Sequence, residues 1–262
     1  MAAVGERQIS YDARGLAEPN ADVPKISEVD GAKAVFDARD LTTRQINLEL
    51  RWLLYEQGVT DVTVQNPGSK HSIGVGILTR CKITYQGSLG YFGCGLIDGP
   101  EVHITGRVGW SACENMMSGV VVIEGNAGSL TGAALRGGDV VVKGRVGARS
   151  GIDQKGGTII TLGSAGTMNG FMMQRGRQVI CGDVGPGLGD SMYDGIMYVG
   201  GKVKSLGIDC VEGEWTHTDT EFIERKFRIY DLGSPPEFQK FVCGKKLYNY
   251  DNLEPSERKL VL

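Results

Sequence analysis

Short apolar runs recur at a fixed spacing along the middle of the chain, and each run is followed by glycine. Runs such as Val102-His103-Ile104, Val121-Val122-Ile123 and Val140-Val141-Val142 begin 19 residues apart. Their length and β-branched content predict strands. The glycines that follow the runs share one column, which comprises Gly68, Gly87, Gly106, Gly125, Gly144, Gly163, Gly182 and Gly201. A fixed period of this kind is typical of a repeat protein.

A second column, two residues after the first, is apolar in every unit. It comprises Leu89, Val108, Ala127, Val146, Ala165, Val184 and Val203. A 19-residue unit is too short for a helix pair or a propeller blade, and the leucine-asparagine pattern of a leucine-rich repeat is absent. We therefore predict an all-β fold over residues 62–204, a single-stranded, right-handed parallel β-helix in which each unit is one rung. Glycine at the corners is expected because the chain must turn there with positive φ or in tight quarters.

A capping helix is predicted just before the first rung, in the segment 42–58. Thr42 or Thr43 is the expected N-cap, and Gly58 the expected stop. One apolar stripe (Ile46, Leu50, Leu53 and Leu54) is expected to cover the open end of the rod. A second stripe (Leu48, Trp52 and Tyr55) is predicted to be buried against a partner or against the N-terminal arm, residues 1–41.

After residue 204 the glycine period stops, and residues 205–262 are predicted to form a docking tail. A helix is expected over residues 221–231. Four aromatic residues further on are candidates for an interface: Phe238, Phe241, Tyr248 and Tyr250. The middle strands are apolar at every position, so their outer faces are also expected to be buried, against other protein.

Composition narrows the function without assigning it. The chain has 262 residues and a formal net charge of −3, which gives no electrostatic case for binding nucleic acid. No apolar run approaches the roughly 20 residues of a membrane span, and we expect a cytoplasmic protein. The six cysteines are expected to be free thiols. Cys94 and Cys113 are 19 residues apart, and a small side chain fitting that corner is favoured over a metal or redox role.

The sequence offers no catalytic, cofactor-binding or metal-binding constellation. The glycine pairs are explained by the period, and no helix follows them to receive a phosphate. The strand carboxylates Glu101, Glu124 and Asp139 stand alone, whereas glycosidase chemistry needs two carboxylates on neighbouring rungs. Five further polar residues are expected at the corners of the rungs with their side chains in solvent: Arg136, Arg149, Asp153, Gln154 and Arg175.

The units VVVIEGNAGSLTGAALRGG (120–138) and DVVVKGRVG (139–147) resemble the GXGXG-motif β-helix of the glutamate synthase family. That domain is found at the C-terminus of the large glutamate synthase subunit and in the β-helix subunit of formylmethanofuran dehydrogenase. It is also a free-standing subunit of N-methylglutamate synthase (methylamine–glutamate N-methyltransferase). Residues 43–57, 204–210 and 237–250 are similar to the free-standing subunit.

This resemblance implies a non-catalytic scaffold subunit in a hetero-oligomer of methylamine metabolism. The complex would convert methylamine and L-glutamate to N-methyl-L-glutamate and ammonia. An amidotransferase-like subunit and an FMN/iron–sulfur synthase subunit would be the partners, and FMN and the iron–sulfur cluster would lie in the latter, with no cofactor in this chain. Two alternatives are the β-helix subunit of formylmethanofuran dehydrogenase and a stand-alone carbohydrate-active β-helix enzyme.

Overall fold

The structure, a computed structural model, describes residues 22–244 of the chain. Within that range the protein is a parallel β-solenoid of about eight turns with one helix near its N-terminal end and one near its C-terminal end. The helices are α1 (Thr43–Arg51), which continues as a π-helical turn (Trp52–Glu56), and α2 (His217–Ile229). Neither has the length and apolar content needed to cross a membrane. The predicted parallel β-helix is thereby confirmed.

Fourteen strands are described between residues 22 and 244. They are β1 (Glu28–Asp30), β2 (Lys33–Asp37), β3 (Asp61–Gln65), β4 (Lys82–Gln86), β5 (Asp98–Ile104), β6 (Ser118–Ile123), β7 (Asp139–Val142), β8 (Lys155–Thr161), β9 (Arg175–Ile180), β10 (Val184–Leu188), β11 (Ile196–Val199), β12 (Val203–Leu206), β13 (Cys210–Glu212) and β14 (Gln239–Cys243). Strands β2 to β9 and β11 pair in parallel in chain order. At the ends of this sheet, β1 and β14 pair antiparallel to their neighbours.

Strand β2 extends the sheet by one strand that the glycine period did not indicate. It pairs with β3 in parallel, with Ala34 opposite Val62 and Phe36 opposite Val64. Ala34 and Phe36 are buried and their neighbours are exposed. This alternation of apolar and polar residues is the sequence signal that identifies the strand.

Each rung has three sides. The sheet side holds the strands just described. The bridge side holds single-residue parallel bridges, such as Val108 to Ala127 and Ala127 to Val146, and continues into the β10–β12 pair. The left-handed side holds the segments 72–76, 92–96, 111–115, 130–134, 149–153, 168–172 and 187–191, in each of which the first, third and fifth residues have positive φ.

The left-handed side places many residues other than glycine in a backbone conformation that costs about 1–2 kcal/mol each. In one segment, Leu130, Gly132 and Ala134 have φ of +63°, +66° and +51°. The amides of Leu130 and Ala134 donate to the following rung at 2.9 and 2.8 Å, whereas the amide of Gly132 donates to the preceding rung at 2.8 Å. Hydrogen bonds in both directions along the rod thus offset the conformational cost.

The glycine column is required by close backbone approach. The amide of Gly144 donates to the carbonyl oxygen of Gly125 at 3.1 Å, and a Cβ on Gly144 would lie 2.7 Å from that same oxygen. Gly68 lies outside this stack. Val62 pairs with Ile83, so the first turn holds 21 residues instead of 19. Pro67 therefore lies next to Gly87, and Gly68 instead supplies a turn with φ of +66°.

The interior of the rod is packed with side chains, and three of those in the described part of the chain are amides: Gln154, Asn169 and Gln178. Gln154, predicted to be a solvated corner, is fully buried, so that prediction was wrong. Its Nε2 donates to the carbonyl oxygens of Gly156 and Gly157, and Gln178 Nε2 donates to Gln154 Oε1 at 3.3 Å. Such burial is tolerated because the side-chain NH2 group of each amide donates to a carbonyl oxygen.

Helix α2 covers the outer face of the sheet side over the later rungs. One outward column, Val141, Ile160, Val179 and Tyr198, is fully buried there. The helix packs Ile223 and Phe227 onto this column. The expectation that another protein buries these outer faces is therefore corrected, because the chain supplies its own cover. The helix begins at His217, with Thr216 as N-cap and Asp219 completing the capping box, four residues before the predicted start.

Candidate docking surfaces

The end of the rod is closed by a polar stripe of α1. Four side chains at a spacing of four residues point at the first left-handed segment: Thr43, Asn47, Arg51 and Tyr55. Asn47 donates to the carbonyl oxygen of Ser72 and accepts from the amide of Gly74, both at 2.8 Å. The other three bond to His71 O, Val75 O and Leu78 N at 3.1, 3.2 and 2.8 Å. The helix thus makes the hydrogen bonds that another rung would make, and the open end is satisfied.

The two apolar stripes of α1 have different environments. Ile46, Leu50, Leu53 and Leu54 are buried. Leu48 and Trp52 are half-buried, and Tyr55 is exposed. The ammonium of Lys25 lies 5.9 Å from the centroid of the Trp52 ring, so the chain's own arm contributes to covering this residue.

Glu49, a residue that sequence reasoning missed, holds the arm against the helix. It is fully buried and accepts hydrogen bonds from the amides of Lys25 (2.7 Å), Ile26 (3.0 Å) and Ser27 (3.1 Å). Several amides aimed at one carboxylate compensate for its burial. The sequence feature that could have identified this buried carboxylate is the position of Glu49 between the two apolar stripes of the helix.

The aromatic residues of the tail that were predicted as interface candidates differ in burial. Phe241 is buried in the core of the rod, where this chain itself covers it. Phe238 is half-buried against α2, with its ring centroid 6.3 Å from that of Phe227. Tyr248 and Tyr250 lie outside the described residues.

Two ionic clusters, one buried and one partly buried, fix α2 to the rod. Lys240 lies 2.8 Å from Asp219, which also accepts from the hydroxyl of Tyr198 at 2.7 Å. Burial alone would raise the pKa of the Asp219 carboxyl, but hydrogen bonds from Lys240, Tyr198 and Thr216 hold that pKa well below its usual range. Asp139 is engaged in the same way, by Lys226 and by the Tyr230 hydroxyl.

Two of the strand carboxylates, Asp139 and Glu124, are paired with bases. Glu124 lies between His103 at 2.8 Å and Lys143 at 3.0 Å, on neighbouring rungs. Burial raises the pKa of Glu124, but the His103 and Lys143 hydrogen bonds outweigh it and lower the pKa overall. Glu101 borders an open groove of about 560 Å³ together with Asp61 and three basic residues, Lys33, Arg80 and Lys82. A carboxylate held ionised by a fixed base is poorly suited to act as a general acid.

Cys94 and Cys113 lie in the interior of the left-handed side. Both are buried, with φ of +56° and +59°, at a position that Gly132 and Gly151 occupy in the next two rungs. Burial raises the pKa of the Cys94 thiol to about 12 and that of Cys113 well above its usual range. Such thiols remain protonated near neutral pH and are poor nucleophiles. Across residues 22–244, no cluster of three or more His, Cys, Asp or Glu could hold a metal ion.

A stack of exposed rings, which the sequence analysis did not single out, lines one corner of the left-handed side. The His71 and Tyr91 rings are 4.5 Å apart, and the Tyr91 and Trp110 rings 5.5 Å, nearly parallel in both cases. The 19-residue spacing of Tyr91 and Trp110 is the sequence feature that could have predicted their stacking. About half of each of these two side chains is exposed, which is unusual for large aromatic residues.

No protein-family model matches the sequence. Over 66 residues the chain is 39% identical to protein GlxC of Rhizobium meliloti (strain 1021). The match covers 24% of this chain and 29% of GlxC, so the likeness is local and spans less than a third of that relative.

Proposed function

We propose that this chain is a non-catalytic scaffold subunit of a glutamate synthase-type complex. The local likeness to protein GlxC supports a relationship to a glutamate synthase-related subunit. The GXGXG-type repeat, on which the family resemblance rests, supports the same relationship over most of the rod.

The observation that carries this proposal is the filled and closed rod. Its interior is packed with side chains from rung to rung. One end is closed by the hydrogen-bonding stripe of α1, and the sheet ends in the antiparallel strands β14 and β13. A molecule built in this way acts through its outer surface, and its backbone hydrogen bonds make that surface rigid. A rigid surface is suited to holding other subunits at a fixed separation.

The specific complex that we propose is N-methylglutamate synthase, which forms N-methyl-L-glutamate and ammonia from methylamine and L-glutamate. An amidotransferase-like subunit and a synthase subunit would flank the rod, which would enclose the transferred amine or ammonia between them. FMN and the iron–sulfur cluster would reside in the synthase subunit. The similarity of residues 43–57, 204–210 and 237–250 to the free-standing subunit supports this choice, and we place the complex in the cytoplasm.

Purification of the native complex through a tag on this chain tests the proposal. The co-purifying proteins are identified by mass spectrometry, and the visible spectrum is recorded. We expect amidotransferase-like and synthase-like chains together with a flavin and iron–sulfur spectrum. An untagged strain processed in parallel gives the background for both measurements.

The choice of amine is tested on the same preparation. Turnover with methylamine and L-glutamate is compared with turnover of ammonia and 2-oxoglutarate in the presence of an electron donor. Partners with a molybdenum or tungsten cofactor would instead favour formylmethanofuran dehydrogenase. A colourless, monomeric chain that cleaves carbohydrate would overturn the scaffold proposal.

A further inference from the structure

Two cysteines lie opposite each other on antiparallel strands at the C-terminal end of the rod. Cys210 begins β13 and Cys243 ends β14, and the strand register pairs one with the other. The segment between them contains α2. We call β13, α2 and β14 together the C-terminal cap. The two cysteines are far apart in the sequence, so their pairing is a product of the tertiary structure.

The backbone hydrogen bonds identify Cys210 and Cys243 as a non-hydrogen-bonded pair. Next to them, the amide of Gly244 donates to the carbonyl oxygen of Asp209 at 2.8 Å. The amide of Cys210 donates to Gly207 at 3.4 Å and not to β14. In such a pair the Cα atoms are about 4.5 Å apart. A disulfide can join Cα atoms about 4.4–6.8 Å apart, so the backbone is already placed for one.

Both side chains face the interior of the rod, because residues opposite each other on a sheet share a face. Cys210 is buried in the core, and Cys243 is half-buried and packs against that core. Both are thiols in this structure. The Sγ of Cys243 donates to the carbonyl oxygen of Met192 at 3.1 Å. One thiol is thus partly open to solvent, and its neighbour lies directly behind it.

The other four cysteines are not arranged in this way. Cys94 and Cys113 are fully buried at the same place on successive rungs. Their Cβ atoms point in the same direction from chains about 4.8 Å apart, whereas a disulfide needs Cβ atoms about 3.8 Å apart. Cys81 precedes β4 and Cys181 follows β9, so they lie on distant rungs. These four residues are internal controls for the pair at the cap.

We infer that Cys210 and Cys243 are a redox modification site, at which a small-molecule disulfide of the glutathione class joins the two sulfur atoms and strengthens the attachment of the C-terminal cap. The inference goes beyond the proposed function and does not depend on it. In a reducing compartment the pair stays as thiols, and disulfides that form there are usually transient and redox-sensing.

The oxidation consists of two thiol–disulfide exchanges. Cys243 loses its proton to solvent, and its thiolate attacks one sulfur of oxidised glutathione; the S–S bond of glutathione breaks, and one glutathione thiolate leaves and takes up a proton. Cys210 then loses its proton, and its thiolate attacks the Sγ of Cys243 and expels the second glutathione. Two electrons pass from the cysteines to oxidised glutathione, which yields two glutathione thiols. The hydrogen bond to Met192 is exchanged for the S–S bond.

The environments of the two thiols set the order of these steps. Burial raises the pKa of the Cys210 thiol to about 12, and the nearby Cys243 adds to the rise. A buried thiol of this kind is a poor first nucleophile. Its attack becomes favourable once the mixed disulfide is held beside it, because that second step is intramolecular.

The S–S bond would close a loop that contains all of α2. Strand β13 follows the last turn of the rod, whereas β14 returns after α2 and pairs with β11. In the reduced chain, backbone pairing and the ionic clusters of α2 hold this segment to the rod. A cross-link between residues 210 and 243 lowers the entropy that the segment gains on detaching. Oxidation should therefore slow the opening of the cap.

Peptide mapping of the purified full-length chain tests the site. The chain is incubated with reduced or oxidised glutathione, both in the native state and while refolding from urea, so that slow access to Cys210 does not limit the result. Thiols are then blocked with N-ethylmaleimide. Trypsin releases Cys210 in peptide 205–225 and Cys243 in peptide 241–245, each with a single cysteine. We expect these two peptides cross-linked as the major form in oxidised glutathione, with Cys94 and Cys113 still thiols.

Hydrogen exchange measures the effect on the cap. Amides of residues 210–212, 217–229 and 239–243 should exchange at least about tenfold more slowly in the oxidised chain, whereas those of residues 61–104 should not change. Cys243→Ser should exchange equally in both glutathione buffers. Cys181→Ser is the matched control, because Cys181 is also half-buried but lies outside the pair, and it should behave as the wild type. Circular dichroism verifies that both variants are folded.

Three results would overturn the inference. The first is glutathione on Cys243 with Cys210 still a thiol, or no modification of either residue, in the native and refolding incubations alike. The second is a cross-linked chain whose cap exchanges as fast as in the reduced chain. The third is slower exchange that persists in Cys243→Ser, which would place the effect elsewhere. All three are measured on this chain alone, so they leave the proposed partners to their own test.

Discussion

A Cβ atom on Gly125 would lie 2.8 Å from the carbonyl oxygen of Gly106, the same oxygen to which the Gly125 amide donates at 2.9 Å. The hydrogen bond and the overlap have one cause, since the two backbones approach without room for a side chain. The glycine column therefore marks the places where consecutive rungs touch through their backbones.

Gly125→Ala should lower the free energy of unfolding by about 3 kcal/mol or more, because the rungs must separate or the hydrogen bond must break. Gly233→Ala is the control: Gly233 has φ of +76°, but its Cβ would meet nothing within 4 Å. That variant should lose only about 1 kcal/mol. Urea unfolding followed by circular dichroism measures both, and a loss for Gly125→Ala no larger than that of the control would contradict the overlap as the reason for glycine in the column.

Asn47→Ala should destabilise the first rung by about 1–3 kcal/mol, because it leaves the buried amide of Gly74 without its partner. Asn126→Ala removes an amide oxygen that also accepts across rungs, from the amide of Arg145, but at an exposed position. It should cost less than about 0.5 kcal/mol. Hydrogen exchange should show faster exchange at residues 72–78 in Asn47→Ala only; protection equal to wild type would refute the capping role of α1.

The buried thiols should resist alkylation in the folded chain. The pKa of Cys94 is raised from 9.0 to about 12, so the thiolate is scarce at pH 8 and the sulfur is inaccessible. Iodoacetamide labelling at pH 8, read by peptide mass spectrometry, should leave Cys94 and Cys113 unmodified until urea is added. Rapid labelling of either residue in the native chain would contradict their burial.

The raised pKa of Cys94 also predicts that the folded state loses stability at alkaline pH. Because the folded state holds the proton of Cys94 more tightly than the unfolded state, its contribution is complete below pH 9 and is lost as pH rises toward 12. Cys94→Ala should therefore unfold with a weaker pH dependence over that range. An unchanged slope would contradict the assignment of the raised pKa to this residue.

Acid should loosen the attachment of α2. The pKa of Asp219 is lowered in the folded state, so its stabilising contribution is present above the usual carboxyl pKa of about 4 and is lost as pH falls below it. Asp219→Asn should lose about 3 kcal/mol at pH 7, because the Lys240 ammonium stays largely buried without its counter-charge. Tryptophan fluorescence of Trp215, beside Tyr198, reports the release. A wild-type transition that persists unchanged in Asp219→Asn would rule out this carboxyl as its source.

Much of the architecture followed from periodicity. The glycine and apolar columns predicted the parallel rod, because stacking requires the same residue type at the same place in every rung. The helix before the rod followed from Thr42, the apolar stripes and Gly58. Local signals of this kind depend on neighbouring residues alone, which is why the sequence carries them.

Other features required the tertiary structure. The cover over Val141 and Tyr198 comes from α2, which lies far along the chain from the strand of Val141, and no periodic signal connects the two. Gln154 looked like a surface residue because its polarity gives no hint of the inward carbonyl oxygens of Gly156 and Gly157. The exposure of Leu96 and Trp110 was hidden for the same reason, since both are ordinary apolar residues in the sequence until the fold turns their side chains outward.

The sequence alone thus determined the repeat, the rod and the capping helix, because each arises from a pattern at fixed spacing. Only the tertiary structure decided which side of the rod residues 22–244 cover and which side they leave exposed. Gly68 shows the difference: it keeps the 19-residue spacing, yet the longer first turn moves it out of the column and Pro67 takes its place beside Gly87. Spacing along the chain becomes contact in space only when each turn has the same length, and turn length is fixed by packing.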